Sequence, residues 1–188
     1  DVIHLSTMDR MALALKRNLY VLESEVYRTK GIDPRPIYYL GKAYYDIHHE
    51  EEHKRAEKLI NIYLSPDSHQ RNMSGWKEER CQAYEYLAEI WRERGDNKKA
   101  IDLLFDALRE YPQFQSTYLS LAVSYVLSND PETARFFVEM AAKVPPSKST
   151  LVNNPRDMES RAYMVLYNAG IKTNRVDEAW NAAHKLKE

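Results

Sequence analysis

Residues 84–112 read YEYLAEIWRERGDNKKAIDLLFDALREYP, and residues 118–146 read YLSLAVSYVLSNDPETARFFVEMAAKVPP. Laid one over the other, they match Tyr84, Leu87, Ala88, Trp91, Ala100, Leu104, Ala107 and Pro112 with Tyr118, Leu121, Ala122, Tyr125, Ala134, Val138, Ala141 and Pro146, each 34 residues further on. Eight matches at one offset mark an internal repeat, and apolar residues three and four apart within it mark the unit as helical. Each unit divides into two helices around a polar turn, Gly95-Asp96-Asn97 in one and Asn129-Asp130-Pro131-Glu132 in the other. Asp130 is placed to cap the second helix, with Pro131 at the first helical position, where a missing N–H costs nothing. Small residues at Ala88 and Ala100 let the paired helices approach, while Trp91 and Leu104 fill the space beside them. Prolines close both units, because proline interrupts a continuing helix.

This skeleton resembles the tetratricopeptide repeat (TPR), a helix–turn–helix unit of 34 residues. The resemblance implies an all-α, right-handed superhelix of antiparallel helix pairs. Two looser units flank the clean pair. Leu40, Gly41 and Tyr44 precede Leu87, Ala88 and Trp91 by 47 residues, whereas Ala56 precedes Ala100 by 44, which places a small insertion in the His48 to Glu52 turn and ten residues more around Ser65 to Gly75. Leu121 to Leu166 and Ala134 to Ala179 are both 45 apart, locating another insertion at Ser147 to Asp157. The units are therefore expected at about 33–66, 81–114, 115–148 and 160–188, the last without a polar capping helix. Before them, Ser6-Thr7-Met8-Asp9 resembles a capping box opening a helix within 9–32, with Gly31 as its stop.

The 188 residues are 44% hydrophobic and 29% charged, with a formal net charge of −1. That is the composition of a folded domain, and it offers no basic footprint for nucleic acid. The single cysteine, Cys81, excludes an intramolecular disulfide and points to a reducing, cytoplasmic compartment. No apolar run is long enough to span a bilayer.

Short motifs of chemistry are few. His49-Glu50-Glu51-Glu52-His53 satisfies the H-E-x-x-H pattern of zinc peptidases, but it falls in a turn between repeat helices rather than within a helix. Cys81 opens a repeat without a basic neighbourhood to activate it and reads as a buried thiol. No complete active site, and no cofactor site, is recognisable. Function is expected on the concave surface lined by the first helices, with Arg35, Tyr38, Lys42 and Tyr45, then Gln82, Glu85, Glu89 and Arg92, then Ser116, Leu119, Val123 and Val126, then Arg161, Met164 and Asn168 as partner-binding residues. The carboxylate clamp of peptide-binding TPR domains uses Lys, Asn and Arg at positions occupied here by Glu85, Glu89, Ser116 and Ser120, so that clamp is absent. Leu119, Val123 and Val126 form an apolar strip on that surface, which implies a protein or peptide partner or self-association.

Three further stretches are more specific. Arg17-Asn18-Leu19-Tyr20-Val21-Leu22-Glu23, Asp33-Pro34-Arg35 with Tyr38-Tyr39-Leu40-Gly41, and Gly75-Trp76-Lys77-Glu78-Glu79-Arg80 resemble the helical region that follows the catalytic domain in bacterial and phage family 2 glycosyltransferases with TPR repeats. The resemblance covers most of the chain. It implies a GT-A type domain on the N-terminal side, binding a nucleotide sugar through a divalent metal held by Asp-x-Asp, a motif this chain lacks. On that reading residues 1–8 end the missing domain, Asp1-Val2-Ile3-His4-Leu5 is its last strand, and His4 is a candidate metal ligand. The chain itself is then a non-catalytic scaffold that dimerises or positions an acceptor. The alternative is a free-standing adaptor holding a protein segment in its groove.

Overall fold

The computed structural model describes residues 7–65, 77–145 and 155–185. Among these residues there are nine α-helices and no strand: α1 (Thr7–Arg28), α2 (Pro34–Tyr45), α3 (Glu50–Leu64), α4 (Lys77–Glu93), α5 (Asn97–Glu110), α6 (Gln115–Leu127), α7 (Pro131–Lys143), α8 (Pro155–Lys172) and α9 (Val176–Lys185). The chain divides into two compact units, Asp1–Gly75 and Trp76–Glu188. Within the first, α1 packs on α2 and α2 on α3. Within the second, α4–α5, α6–α7 and α8–α9 are three helical pairs, and the first helices lie side by side, α4 against α6 and α6 against α8. None of the described helices is long and apolar enough to cross a membrane.

A left-handed hinge recurs in every pair. The backbone turns left-handed at His48, Gly95, Asn129 and Asn174, with φ of 53°, 83°, 62° and 57°. Those positions are separated by 47, 34 and 45 residues, the offsets at which the apolar skeleton repeats. At Gly95 the amide donates to the Arg92 carbonyl and that of Asp96 to the Trp91 carbonyl; Asn129 with Asp130, and Asn174 with Arg175, do the same. This closes the orphan carbonyls of the first helix within one turn. Asp96 and Asp130 then cap the second helices, accepting from the amides of Lys99 at 2.9 Å and Thr133 at 3.1 Å. Gly and Asn suit the left-handed position of the last three pairs because a Cβ is strained there and a short polar side chain offsets that strain locally, whereas the first pair carries His48 at this position.

Packing follows the small residues. Ala88, Ala100, Ala122 and Ala134 are fully buried with Leu87, Leu104 and Leu121. In the first pair a Cβ added to Gly41 would stand 2.9 Å from the Ile60 side chain, so α2 and α3 touch where glycine allows it. Tyr38 and Tyr63 pack beneath, ring centroids 5.2 Å apart. The fourth pair departs from this register. The offset of 45 puts Tyr167 where Ala122 stands, and Gly170, one turn later, makes the close approach to Ala179 instead.

Two local expectations are corrected. The three extra residues of the first pair do not lengthen a loop: Glu50, Glu51 and Glu52 form the first turn of α3, where carboxylates face the positive end of the helix. The first helix is closed by Lys30 (φ 51°) followed by Gly31 (φ 65°), whose amide donates to Val26 at 3.1 Å, so the left-handed stop begins one residue before the glycine. His4, the insertions around 66–76 and 146–154, and Ser6 of the capping box lie outside the described residues.

Candidate functional site

The first helices of the second unit are joined by a polar row that starts from α6. Its sequence places Ser116, Ser120 and Ser124 four residues apart, hence on one face. Glu85 of α4 accepts from the hydroxyls of Ser116 at 2.8 Å and Thr117 at 3.0 Å. From the other side, Arg161 of α8 donates to Ser116 Oγ at 3.2 Å and Ser120 Oγ at 2.7 Å. Arg92 of α4 donates to the Ser120 carbonyl at 3.3 Å and to Ser124 Oγ at 3.1 Å. A carboxylate and two guanidiniums thus close on four buried hydroxyls, those of Ser116, Thr117, Ser120 and Ser124, satisfying groups that would be costly to leave unpaired.

Burial pushes the Glu85 carboxyl above its ordinary value, and Arg161 and the bonds from Ser116 and Thr117 oppose that rise without cancelling it. The Cys81 thiol, buried against Ala107 and Phe114 and donating to the Ala107 carbonyl at 3.3 Å, is raised well above its ordinary value, first by burial and then by the Glu85 and Glu110 carboxylates. Neither group is poised for nucleophilic chemistry.

The partner-binding residues expected from the sequence separate into two sets. Glu85, Arg92, Ser116 and Arg161 are drawn into the row. Leu119, Val126 and their neighbours are not an open apolar strip: Leu119 is 2% and Val126 8% exposed, in a cluster with Met158 and Val165 of α8, and Val123 is half-buried. Side-by-side packing of α6 with α8 closes over a face that a more open curvature would leave wet. Tyr38 and Tyr45 are likewise corrected, being buried against their own pair, Tyr38 on Tyr63 and Tyr45 stacked on His53 with centroids 5.6 Å apart. Arg35, Met164 and Asn168 are exposed, and Gln82, Glu89 and Arg161 half-buried. Lys42 pairs with Asp46, the residue that caps the C-terminus of its own helix.

The H-E-x-x-H segment is built differently from a metal site. His49 caps α3 from outside with Nδ1 2.8 Å from Glu52, while His53 is buried with Nε2 3.2 Å from the Tyr45 carbonyl. Among the described residues no group of three His, Cys, Asp or Glu side chains is placed to hold a metal ion.

Crystal structures of MamA, a TPR-like helical repeat protein, are similar over nearly the whole chain. One has a TM-score of 0.65 at 17% identity, covering 98% of this chain and 94% of MamA. A second has a TM-score of 0.61 at 15% identity, covering 95% and 86%. The fold is TPR-like. No protein-family model matches the chain, and no curated protein matches its sequence. The likeness to MamA concerns the path of the backbone; the polar row is a property of this TPR-like chain's own serines and arginines, and the sequence signal for it is the four-residue serine spacing within an otherwise apolar α6.

Proposed function

We propose that the chain is a non-catalytic scaffold that holds a protein segment along the first helices of its second unit. The observation that supports this reading is the polar row. It anchors α4, α6 and α8 side by side, and Gln82, Glu89, Met164 and Asn168, on the same helices, retain exposed surface. A surface of that kind positions a partner and raises its effective concentration without bond chemistry of its own. Photo-cross-linkers at Glu89 and at Asn168 are expected to capture the same protein, and one at Lys98 of α5 to capture none. Equal capture from all three positions would defeat the reading.

A finer form of the proposal attaches this scaffold to a glycosyltransferase. Arg17-Asn18-Leu19, Asp33-Pro34-Arg35 and the Lys77-Glu78-Glu79-Arg80 run support it by their resemblance to the region following such catalytic domains. The divalent metal and nucleotide sugar would then belong to that domain, and this chain would dimerise or hold the acceptor. Reading the coding sequence upstream of Asp1 tests it: strand-patterned sequence with Asp-x-Asp supports this form, and an upstream stop codon supports a free-standing adaptor.

A further inference from the structure

The repeat offset of 45 makes the last pair a copy of the one before it, so the fate of each position can be compared. In the third pair, Leu119 and Val126 of α6 are covered by α8, and Arg135 of α7 forms an ion pair with Glu178 of α9. These residues line the surface on which one pair receives the next. Their counterparts 45 residues on are Met164 and Ile171 of α8 and Trp180 of α9. Met164 is 49%, Ile171 60% and Trp180 64% exposed. The stacking surface is therefore presented again at the end of the second unit, enlarged by an indole where the preceding pair has a paired arginine.

Three charged groups at this end reach back to the preceding pair, while Asp177 and His184 stay exposed on α9, the His184 ring 4.8 Å from that of Trp180. Lys172 donates to the Val126 carbonyl at 2.8 Å and to Asn129 at 3.1 Å; Arg175 donates to Glu132 at 2.7 Å; Glu178 holds Arg135. Each of these bonds reaches back to the preceding pair. Along α8 the outward run Met164, Tyr167, Asn168 and Ile171, spaced three, one and three residues apart, contains no Asp, Glu, Lys, Arg or His. A two-fold interface sets every charge near its axis against its own copy, so an uncharged apolar stripe is the surface that pairs with itself without repulsion.

We propose that a second copy of this chain covers the α8–α9 face, pairing Met164, Ile171 and Trp180 across a two-fold axis. This deepens the scaffold reading by naming one partner, and rests on it only in treating association as the chain's activity.

Sedimentation velocity of the 188-residue chain over a concentration series tests the pairing. A dimer that dissociates on dilution is expected, with Ile171→Asp and Trp180→Asp each raising the dissociation constant by about tenfold or more, as loss of a central apolar contact does. Leu13→Asp, on the exposed side of α1, is expected to leave it unchanged. Both end-face positions are exposed, so far-UV circular dichroism should match the parent chain. A chain that stays monomeric at every concentration, or a dimer indifferent to both substitutions, overturns the pairing. A monomer that still cross-links its partner through Glu89 and Asn168 leaves the scaffold reading in place, whereas a dimer without that capture removes the groove and keeps the end face.

Discussion

A β-carbon placed on Gly170 of α8 would stand 2.9 Å from the backbone nitrogen of Ala179 on α9 and 3.0 Å from its β-carbon. Backbone cannot rotate aside as a side chain can. Alanine at this helical position would gain about 1 kcal/mol of helix propensity, but forcing the two helices apart costs about 1–3 kcal/mol. Gly170→Ala is therefore expected to lower the urea midpoint. An unchanged or raised midpoint would show that α8 and α9 are not in this contact.

Gly95 presents the opposite case. Nothing lies within 4 Å of its added β-carbon, yet its φ is 83°. Gly95→Ala is expected to cost about 1–2 kcal/mol from the left-handed backbone alone. Gly95→Asn should cost less, since Asn129 and Asn174 occupy the same turn in the following pairs. Equal losses for the two variants in thermal unfolding would contradict that order.

Glu85 links stability to pH. Its folded-state value lies above the unfolded one, so folding favours the protonated carboxyl, and the stability it contributes is complete below the unfolded value and lost as pH rises through the folded value. Compared with Glu85→Gln, the parent chain should gain stability as pH falls from neutral toward the ordinary carboxylate range. Paired urea titrations across that interval give the sign directly, and a relative loss on acidification would reverse the assignment.

Cys81 should be silent in the native chain. With its thiol buried and held protonated, reaction with a thiol reagent at neutral pH is expected only through unfolding, at a rate that rises with denaturant in step with the loss of helix. Rapid labelling without denaturant would place the thiol at the surface.

Zinc should confer no peptidase activity. His49 and His53 are held by Glu52 and by the Tyr45 carbonyl, and so do not present the paired imidazoles that a zinc peptidase requires. Zinc-dependent cleavage abolished by Glu50→Gln is the result that would contradict this placement.

Much of the architecture was legible because a repeat states its packing several times. Ala88, Ala100, Ala122 and Ala134 announce close helix contact, and Gly95 and Asn129 announce the turn, from local rules of size and backbone freedom. Residue roles on the first helices were less legible. Leu119 and Val126 were assigned to an open surface by position within the unit, but whether that surface is wet depends on how tightly α8 lies against α6. Tyr38 and Tyr45 failed for a related reason, since an aromatic long enough to reach its own second helix buries itself there.

From its amino acids alone this chain is committed to paired helices and to the turns at Gly95 and Asn129, because those depend on neighbours within a few residues. The meeting of Glu85, Ser116 and Arg161, the closure of α8 over α6, and the bare face of Met164, Ile171 and Trp180 were decided only in three dimensions. Those arrangements depend on the distance and rotation between helices up to 76 residues apart in sequence, from Glu85 to Arg161, which no local pattern specifies.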